Sequence, residues 1–373
     1  MPETILVINT GSSSLKLGLY QPTAGDMQLL FEGLADNIGH ESSKLEIKDA
    51  TGNVLHAETT QLKTQTTALD QATQALKQLT NIAPTAIGHR VVHGGPRLTS
   101  HQRITPELIA ELENCLHFAP LHIPLALELI AAAECTYPNL PQFACFDTAF
   151  HTTIPEAASR FPIPREFFDE GIHRYGFHGL SYESIVHQLG PELPGCIVIA
   201  HLGSGASLCA IRDGHSIDTT MGLTPTGGIP MATRSGDLDP GILLYLMRAK
   251  NMDADALEKL LNHSSGLAAI SGGESDMRKL EAAASDPNAQ LAIDIFCTAI
   301  RKTIAAYATE LGGVDLLIFS GGIGEHSARV RNQVSEGLAF LGITPEKIRV
   351  IPSQEDIQIA RHCHALSKQK QNL

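Results

Sequence analysis

The stretch Ile5-Leu-Val-Ile-Asn9-Thr-Gly11-Ser-Ser-Ser14-Leu-Lys16-Leu-Gly-Leu-Tyr20 decides the fold, because it predicts two strands joined by a polar turn. Residues 5–8 are continuously apolar, which is typical of a strand buried on both faces. After the turn, apolar and polar residues alternate, as in a strand with one buried face. The glycine, the hydroxyls and the lysine of the turn can bind phosphate. The alternative is a hairpin whose tip is merely polar.

A later stretch repeats this design: Cys196-Ile-Val-Ile-Ala-His201-Leu-Gly203-Ser-Gly205-Ala-Ser207-Leu-Cys-Ala-Ile211. An apolar run, a glycine-serine turn and a second apolar run follow each other in the same order. In both places a further turn leads into a third predicted strand, residues 27–32 in the first case and 215–221 in the second. An internal echo at domain spacing predicts two related halves, the alternative being a coincidence between two hairpins.

Composition limits the classes of function. A chain of 373 residues, 43% hydrophobic and 18% charged, is expected to form two folded domains. The formal net charge of −13 argues against nucleic acid or an anionic membrane as a partner, so an anionic ligand needs a local cationic site. The sequence shows neither a membrane-spanning run nor a signal-peptide pattern. Its seven scattered cysteines predict reduced thiols in a cytoplasmic protein.

The remaining pattern alternates strands with helices, which indicates an α/β fold. Further strands are predicted at residues 45–48, 54–57, 86–93, 143–147 and 314–319. Helices are predicted at residues 64–80, 105–116, 124–135, 239–250, 253–261 and 293–311, and around residues 330–334. Thr105, Asp239 and Asp253 are expected to cap their helices.

The stretch Ser320-Gly-Gly-Ile-Gly324-Glu-His follows a predicted buried strand and precedes a helix. Such a turn can bring backbone N–H groups and a helix N-terminus to a nucleotide. It lacks the third glycine of the dinucleotide fingerprint, which is replaced by Ser327, and the sequence contains no P-loop motif. By itself the turn could equally be a tight strand–helix connection. Together with the two hairpins it matches the nucleotide-binding scheme of the actin, Hsp70 and sugar kinase superfold.

The sequence resembles the acetate kinases, a family of the acetate and sugar kinase superfamily, from end to end. The motifs that carry the resemblance are Val7-Ile-Asn-Thr-Gly-Ser-Ser-Ser-Leu-Lys16, Gly88-His-Arg-Val-Val-His-Gly-Gly95, Phe146-Asp-Thr-Ala-Phe-His151, Tyr175-Gly-Phe-His-Gly-Leu180, His201-Leu-Gly-Ser-Gly-Ala-Ser207, Thr233-Arg-Ser-Gly-Asp-Leu-Asp-Pro240 and Ser275-Asp-Met-Arg278. Their number and order make chance agreement very improbable.

The resemblance implies two related, ribonuclease H-like domains that flank a nucleotide cleft. We expect an N-terminal domain of residues 1–147 plus 357–373 and a nucleotide-binding domain of residues 148–356. The implied reaction is reversible, in-line transfer of the γ-phosphoryl group of ATP to acetate, giving acetyl phosphate and ADP. The family also implies Mg²⁺, for which Mn²⁺ can substitute, and a homodimer in the cytoplasm, without nucleic acid or membrane partners.

Four residues match the family's catalytic positions. Arg90 and Arg234 match the substrate arginines, and guanidinium groups suit a carboxylate and a phosphoryl group because they bind both bidentately. Asp147 matches the essential carboxylate, which orients the attacking oxygen or binds magnesium. His178 matches the histidine that stabilises the transferring group. From the residues alone, each arginine could be a structural ion pair, Asp147 a helix cap and His178 a structural histidine.

Other positions take their roles from the resemblance. The expected acceptor pocket comprises Arg90, Val92, Leu121, His122, Phe177, Pro225 and Arg234. The expected ATP/ADP contacts are Asn9, Ser12, Ser14, Lys16, His201, Gly203, Ser204, Gly205, Asp276, Arg278, Gly322, Ile323, Gly324, His326 and Arg331. The expected metal ligands are Asn9, Glu355 and Asp147, with the neighbouring Asp356 as an alternative to Glu355 and a solvated loop as the bland interpretation.

Ser204, His326 and Ile123 stand where the family usually has asparagine. The histidines at 89 and 93 are four residues apart but lack the flanking glutamate of a helical zinc motif. The group His362-Cys363-His364 could bind a soft metal, and the alternative is a chance cluster on a polar C-terminal segment. Three alternatives to an acetate-specific enzyme remain. These are a propionate or butyrate kinase of the same family, a chaperone-like or filament-forming ATPase, and an inactive relative that only binds ligands.

Overall fold

The computed structural model describes residues 3–11, 13–283 and 285–369, and Ser12 lies outside them. The chain divides into two units: unit 1 is Met1–Ala149 with Gln354–Leu373, and unit 2 is Phe150–Ser353. The sequence placed residues 354–356 in the C-terminal domain. The structure groups them with unit 1 because they lead into the C-terminal helix of that unit.

The described strands are β1 (Ile5–Thr10), β2 (Leu15–Pro22), β3 (Met27–Asp36), β4 (Ser43–Asp49), β5 (Val54–Thr60), β6 (Ala86–Val91), β7 (Gln102–Arg103), β8 (Gln142–Phe146), β9 (Cys196–Leu202), β10 (Ala206–Arg212), β11 (His215–Thr219), β12 (Leu316–Ser320) and β13 (Ile348–Val350). The described helices are α1 (Gln65–Leu79), α2 (Pro106–Asn114), α3 (Ile123–Thr136), α4 (Glu156–Ser159), α5 (Arg165–Asp169), α6 (Gly179–Leu189), α7 (Pro240–Lys250), α8 (Ala254–His263), α9 (Gly266–Ser271), α10 (Met277–Ala282), α11 (Pro287–Leu311), α12 (Gly321–His326), α13 (Ala328–Glu336) and α14 (Glu355–Gln369).

Unit 1 contains a sheet with the strand order β5-β4-β3-β2-β1-β6-β8-β7. Strands β1 to β5 form an antiparallel meander, whereas β1, β6 and β8 run parallel to one another. Leu6 and Ile8 belong to the core that α1 and α3 help to fill. Ile5 and Val7, which alternate with them, are also fully buried, and α14 packs on β1 and β6. The prediction that β1 is buried on both faces is therefore confirmed.

Unit 2 contains a sheet with the strand order β11-β10-β9-β12-β13. Hairpin β9–β10 is antiparallel, β11 continues it antiparallel, and β12 adds parallel to β9. Unit 1 has the same arrangement in β1–β2, β3 and β6. The internal echo in the sequence is confirmed as a shared strand topology.

Local signals placed most helix starts correctly. Thr105, Asp239 and Asp253 each accept a hydrogen bond from a backbone N–H in the first turn of α2, α7 and α8. The glycine-rich turn after β12 is itself helical and forms α12. Gly321, with φ +75, starts it, and a side chain there would clash with the Leu202 carbonyl oxygen, 2.7 Å from a Cβ at this position. No helix among the described residues is long and apolar enough to cross a membrane.

Candidate active site

Three neighbouring parallel strands of unit 1 end in polar side chains. Asn9 lies near the end of β1, Arg90 near the end of β6, and Asp147 directly follows β8. Pairing of β1 with β6 and of β6 with β8 brings these carboxyl ends to one edge of the sheet. Ligands of open α/β sheets bind at such an edge, so strand order alone gathers the three predicted residues.

Arg90 and Asp147 form a bidentate ion pair. Arg90 Nη2 lies 2.6 Å from Asp147 Oδ2, and Arg90 Nε lies 3.0 Å from Oδ1. The Asp147 side chain is 1% exposed, and Arg90 is 16% exposed. Burial raises the pKa of the Asp147 carboxyl, and the charge of Arg90 opposes this rise. Burial would lower the pKa of Arg90, but Asp147, Glu355 and Asp356 raise it, so the guanidinium stays charged.

The free edge of the guanidinium faces Asn9. Arg90 Nη1 donates to Asn9 Oδ1 at 3.3 Å and to the Thr10 carbonyl at 3.5 Å, both long hydrogen bonds. Asp147 therefore fixes one edge of the guanidinium, while the opposite edge is held only weakly. A guanidinium anchored in this way can receive an anion through its Nη groups.

Two carboxylates reach Asn9 from the first turn of α14. Asn9 Nδ2 donates to Asp356 Oδ1 at 2.6 Å and to Glu355 Oε2 at 3.2 Å. Burial raises the pKa of Asp356, while Asn9 and the charge of Lys16 oppose that rise. The bland interpretation of Glu355 as a loop residue is wrong, because it begins a helix and hydrogen-bonds to Asn9.

The turn between β1 and β2 presents the predicted phosphate donors. The Gly11 N–H donates to the Ser14 carbonyl at 2.9 Å and closes the turn. Lys16 pairs in register with Asn9, and its side chain is exposed. Ser12, also predicted to bind phosphate, lies outside the described residues.

In unit 2, His178 immediately precedes α6 with a left-handed backbone, φ 58 and ψ 21. A residue other than glycine rarely adopts this conformation, which is typical of functional positions. His178 Nδ1 lies 2.8 Å from Ser207 Oγ on β10. The ring of His201 on β9 lies 4.6 Å from the His178 ring, centroid to centroid.

The tip of the β9–β10 hairpin brings His178 close to Arg234. A Cβ added to Gly205 would lie 3.5 Å from both His178 Nε2 and Arg234 Nη1. The Gly203 N–H donates to the Gly205 carbonyl, and the Ser204 carbonyl accepts from the Ala232 N–H at 3.1 Å. Two side-chain nitrogens therefore lie beside a residue that has no side chain.

The backbone around Arg234 is fixed by turns. The Met231 N–H donates to the Arg234 carbonyl at 3.0 Å, and Arg234 Nη1 donates to the Pro225 carbonyl at 3.2 Å. Pro225 was expected beside the acceptor, and the structure places it in contact with Arg234.

The remaining acceptor-pocket residues are distributed over both units. In unit 1, Val92 is half-buried just after β6, Leu121 is 49% exposed, and His122 is the residue before α3. In unit 2, Phe177 is buried next to His178.

The predicted adenosine contacts lie on three neighbouring helices of unit 2. Asp276 caps α10 through the Arg278 N–H and pairs with the Arg278 guanidinium at 2.6 Å. Gly322, Ile323, Gly324 and His326 lie in α12. Arg331 of α13 donates to the Gly324 and Glu325 carbonyls at 2.8 Å each, so it stabilises the end of α12.

Sequence reasoning missed Tyr182 and Ser207, both fully buried and hydrogen-bonded to each other beside His178. The only signal in the sequence was that Ser207 ends one quoted motif and that Tyr182 closely follows another. Two of the histidines that were rejected as metal ligands, His89 and His364, contact other side chains. His89 hydrogen-bonds to Gln142 at 2.6 Å, and His364 pairs with Glu3 at 2.8 Å.

Comparison with known proteins identifies the family of this chain. A profile of the Acetokinase family matches residues 4–364. An acetate kinase of Rhodopseudomonas palustris is 40% identical over 399 aligned residues, covering 98% of this chain and 99% of the relative. An acetate kinase of Dichelobacter nodosus is 41% identical over 400 aligned residues, with 98% and 99% covered.

Solved structures agree as well. A crystal structure of Porphyromonas gingivalis acetate kinase matches with a TM-score of 0.86 at 34% identity, covering 98% of this chain and all of that one. A propionate kinase structure from Francisella tularensis matches with a TM-score of 0.90, also at 34% identity and with the same coverage.

Fold, strand-end residues and relatives together define a phosphotransferase that acts on a carboxylate acceptor, so the chain is a kinase. It belongs to the Acetokinase family.

Proposed function

We propose that the protein transfers the γ-phosphoryl group of ATP to acetate, reversibly, giving acetyl phosphate and ADP. The observation that carries the proposal is the buried Arg90–Asp147 pair at the carboxyl ends of three parallel strands. It occurs in a chain about 40% identical to acetate kinases over nearly its whole length.

In unit 1, Asp147 holds the Arg90 guanidinium so that its Nη groups receive the acetate carboxylate or a phosphoryl oxygen. By fixing the guanidinium, Asp147 orients the attacking oxygen through Arg90. Because phosphoryl transfer depends mainly on positioning and neutralisation of charge, a preformed ion pair of this kind is well suited to it.

In unit 2, His178 Nε2 and Arg234 Nη1 donate to the oxygens of the group in transfer. Both lie beside Gly205, where a Cβ would be in contact with them. Two donors that converge before the reaction stabilise charge as it spreads over these oxygens. The transfer is in-line, from ATP directly to the acceptor.

The donor set of unit 1 fits Mg²⁺. Asn9 lies within hydrogen-bond distance of both Glu355 and Asp356, and amide and carboxylate oxygens are the ligands that this ion prefers. We propose Asn9 and Glu355 as ligands, with Asp147 or Asp356 nearby. When bound, Mg²⁺ or Mn²⁺ neutralises phosphate charge.

We assign ATP and ADP contacts to both units. Ser12, Ser14 and Lys16 bind phosphates from the β1–β2 turn, and His201, Gly203 and Ser204 do so from the β9–β10 turn. On the adenosine side we propose residues of α10 and α12, namely Asp276, Arg278, Gly322, Ile323, Gly324 and His326.

We propose that the enzyme is a homodimer. Helix α7 has no buried residue, although Ile242, Leu244, Tyr245 and Met247 are apolar and 43% to 57% exposed. Apolar surface of this extent is typical of a protein interface.

We place the reaction in the cytoplasm, because all seven cysteines are free thiols in the described chain. The net charge of −13 gives no support to nucleic acid or membrane partners.

A hydroxamate assay with ATP, Mg²⁺ and acetate tests this function. Wild-type protein should accumulate acyl phosphate, and Arg90→Ala should lower the rate by roughly 100-fold or more, because it removes a buried charge that holds the acceptor. Arg97→Ala is the matched control, since Arg97 is 76% exposed and pairs only with Glu111 among the described residues. ATP turnover without acyl phosphate would contradict the proposal.

Propionate is the alternative acceptor, because one of the similar solved structures is that of a propionate kinase, from Francisella tularensis. Values of kcat/KM over acetate, propionate and butyrate decide between them. A maximum at acetate supports the acetate kinase, and a maximum at propionate supports the alternative.

A further inference from the structure

Two buried hydroxyls lie behind His178. Ser207 Oγ lies 2.8 Å from His178 Nδ1, and the Tyr182 hydroxyl forms a short hydrogen bond with the same Ser207 Oγ. Tyr182 and Ser207 are both 0% exposed. The three groups form a chain that starts in the core of unit 2 and ends on the His178 ring.

The direction of these hydrogen bonds follows from the number of protons that each group can donate. Within the described part of the protein, Ser207 Oγ is the only hydrogen-bond partner of the Tyr182 hydroxyl. A buried hydroxyl that does not donate costs about 1–3 kcal/mol, so Tyr182 donates to Ser207. Burial raises the pKa of Tyr182 well above its usual value, so its proton stays in place. The single hydrogen of Ser207 is then available for His178 Nδ1.

We propose that Tyr182 and Ser207 are positioning residues that keep His178 as the tautomer with its proton on Nε2. The Nδ1 atom accepts from Ser207, so the neutral ring carries its one hydrogen on Nε2. That atom lies beside Gly205 and Arg234. His178 thereby presents a fixed N–H donor to the phosphoryl group. This use of the donor rests on the proposed function, whereas the tautomer does not.

The packing of Tyr182 explains how the hydrogen bonds between Tyr182, Ser207 and His178 keep their geometry. Its ring contacts His151 edge-on, with centroids 5.6 Å apart, and packs against Phe150. His178 immediately precedes α6 and Tyr182 lies in its first turn, so the start of this helix positions both residues. The Tyr182 N–H donates to the His178 carbonyl at 3.1 Å.

Nitrogen NMR of the full chain labelled at histidine tests the tautomer without substrate. A His178→Gln spectrum assigns the His178 signals. In the wild type, Nε2 should be protonated and Nδ1 not. In Tyr182→Phe, which keeps the ring, Ser207 is free to rotate, and the two tautomers should both be populated. A proton on Nδ1 in the wild type, or an unchanged tautomer in Tyr182→Phe, overturns the proposal.

Kinetics give the second readout. Tyr182→Phe should lower kcat about two- to fivefold with little change in the KM for acetate, because only part of the population then presents the Nε2 donor to the group in transfer. Tyr137→Phe in unit 1 is the matched control, and it should leave kcat and the His178 signals unchanged. An unchanged kcat in Tyr182→Phe overturns the positioning role. A protein with the expected tautomer but no acyl-phosphate formation would instead refute the proposed function.

Discussion

At the scale of single residues, the Arg90–Asp147 pair bears on two roles that the sequence left as alternatives, a structural ion pair and a substrate site. It is a buried ion pair, with a shortest N–O distance of 2.6 Å. A buried pair of this kind is weak grounds for stability, because the desolvation of both charges offsets their attraction. Its position at the strand ends, with one guanidinium edge only weakly held, favours a functional role.

Gly205 lies beside His178 and Arg234 in unit 2, so a substitution there tests the role of these two side chains. Gly205→Ala would place a methyl group 3.5 Å from His178 Nε2 and Arg234 Nη1, an ordinary contact that the fold accepts. We expect an unchanged thermal midpoint and a loss of roughly tenfold in kcat, because the methyl group occupies space next to both donors. Steady-state kinetics and thermal unfolding of the same preparation measure the two effects.

Gly195→Ala serves as its control. A Cβ there would also make ordinary contacts, 3.5 Å from Asp213 Oδ1, at the other end of the same hairpin. It should change neither the thermal midpoint nor kcat. A Gly205→Ala enzyme with wild-type kcat would show that the donors do not act beside this residue.

Some residues of the candidate site could be predicted from the sequence and others could not. The family motifs predicted Asn9, Arg90 and Asp147, and the structure places all three at the carboxyl ends of neighbouring parallel strands. Tyr182 and Ser207 could not be predicted, since a hydroxyl on α6 and another on β10 meet only after the helix docks on the sheet. The left-handed backbone of His178 likewise has no signature in a single sequence.

At the scale of elements, α14 depends on Gly88 for its close approach to β6. A Cβ at residue 88 would lie 2.5 Å from Cys363 Sγ and 2.7 Å from Ile359 Cγ2, distances that real contacts do not reach. Helix α14 carries Glu355 and Asp356, so a shift of this helix moves two carboxylates.

Gly88→Ala should therefore destabilise unit 1 by about 1–3 kcal/mol and raise the Mg²⁺ concentration needed for half-maximal activity. Denaturant unfolding and a Mg²⁺ titration of activity measure these effects. Adding Cys363→Ala to Gly88→Ala removes the nearer clash and should restore part of both. If the double variant is no better than Gly88→Ala, steric displacement of α14 is not the cause.

Periodicity and caps predicted many of the elements, and two of the differences from the structure have a plain physical reason. The glycine-rich stretch after β12 was expected to be a turn but forms α12, because Gly321 can adopt a positive φ at the strand–helix junction. Strand β3 extends to Asp36, beyond the predicted residue 32, since its pairing with β4 continues that far. Pairing partners decide strand ends, and a single sequence does not show them.

At the scale of the whole molecule, each unit contains a buried histidine whose pKa is lowered by burial. Burial lowers the pKa of His89 in unit 1 to about 4 and that of His151 in unit 2 to about 4. Their pKa values in the unfolded chain are about 6.5. Between these values the unfolded state binds more protons, so the free energy of unfolding falls as the pH falls.

We therefore expect full stability above about pH 6.5 and a loss of up to about 3 kcal/mol per histidine as the pH falls towards 4. His89→Gln retains a donor to Gln142 and should flatten the pH dependence of unit 1 between pH 7 and pH 5. Urea unfolding at several pH values measures this slope. A variant with the wild-type slope would show that His89 does not contribute to it.

Unit 1 is discontinuous: its last helix, α14, follows roughly 200 residues of unit 2 along the chain. At about 5–20 residues per second, a ribosome needs roughly 10–40 s to synthesise the intervening part. During that time β1 and β6 lack the helix that packs on them, and Asn9 lacks its carboxylate partners. The nascent protein thus holds Arg90 and Asp147 well before it can gain Glu355 and Asp356, and the carboxylate contacts of Asn9 form only after α14 has been synthesised.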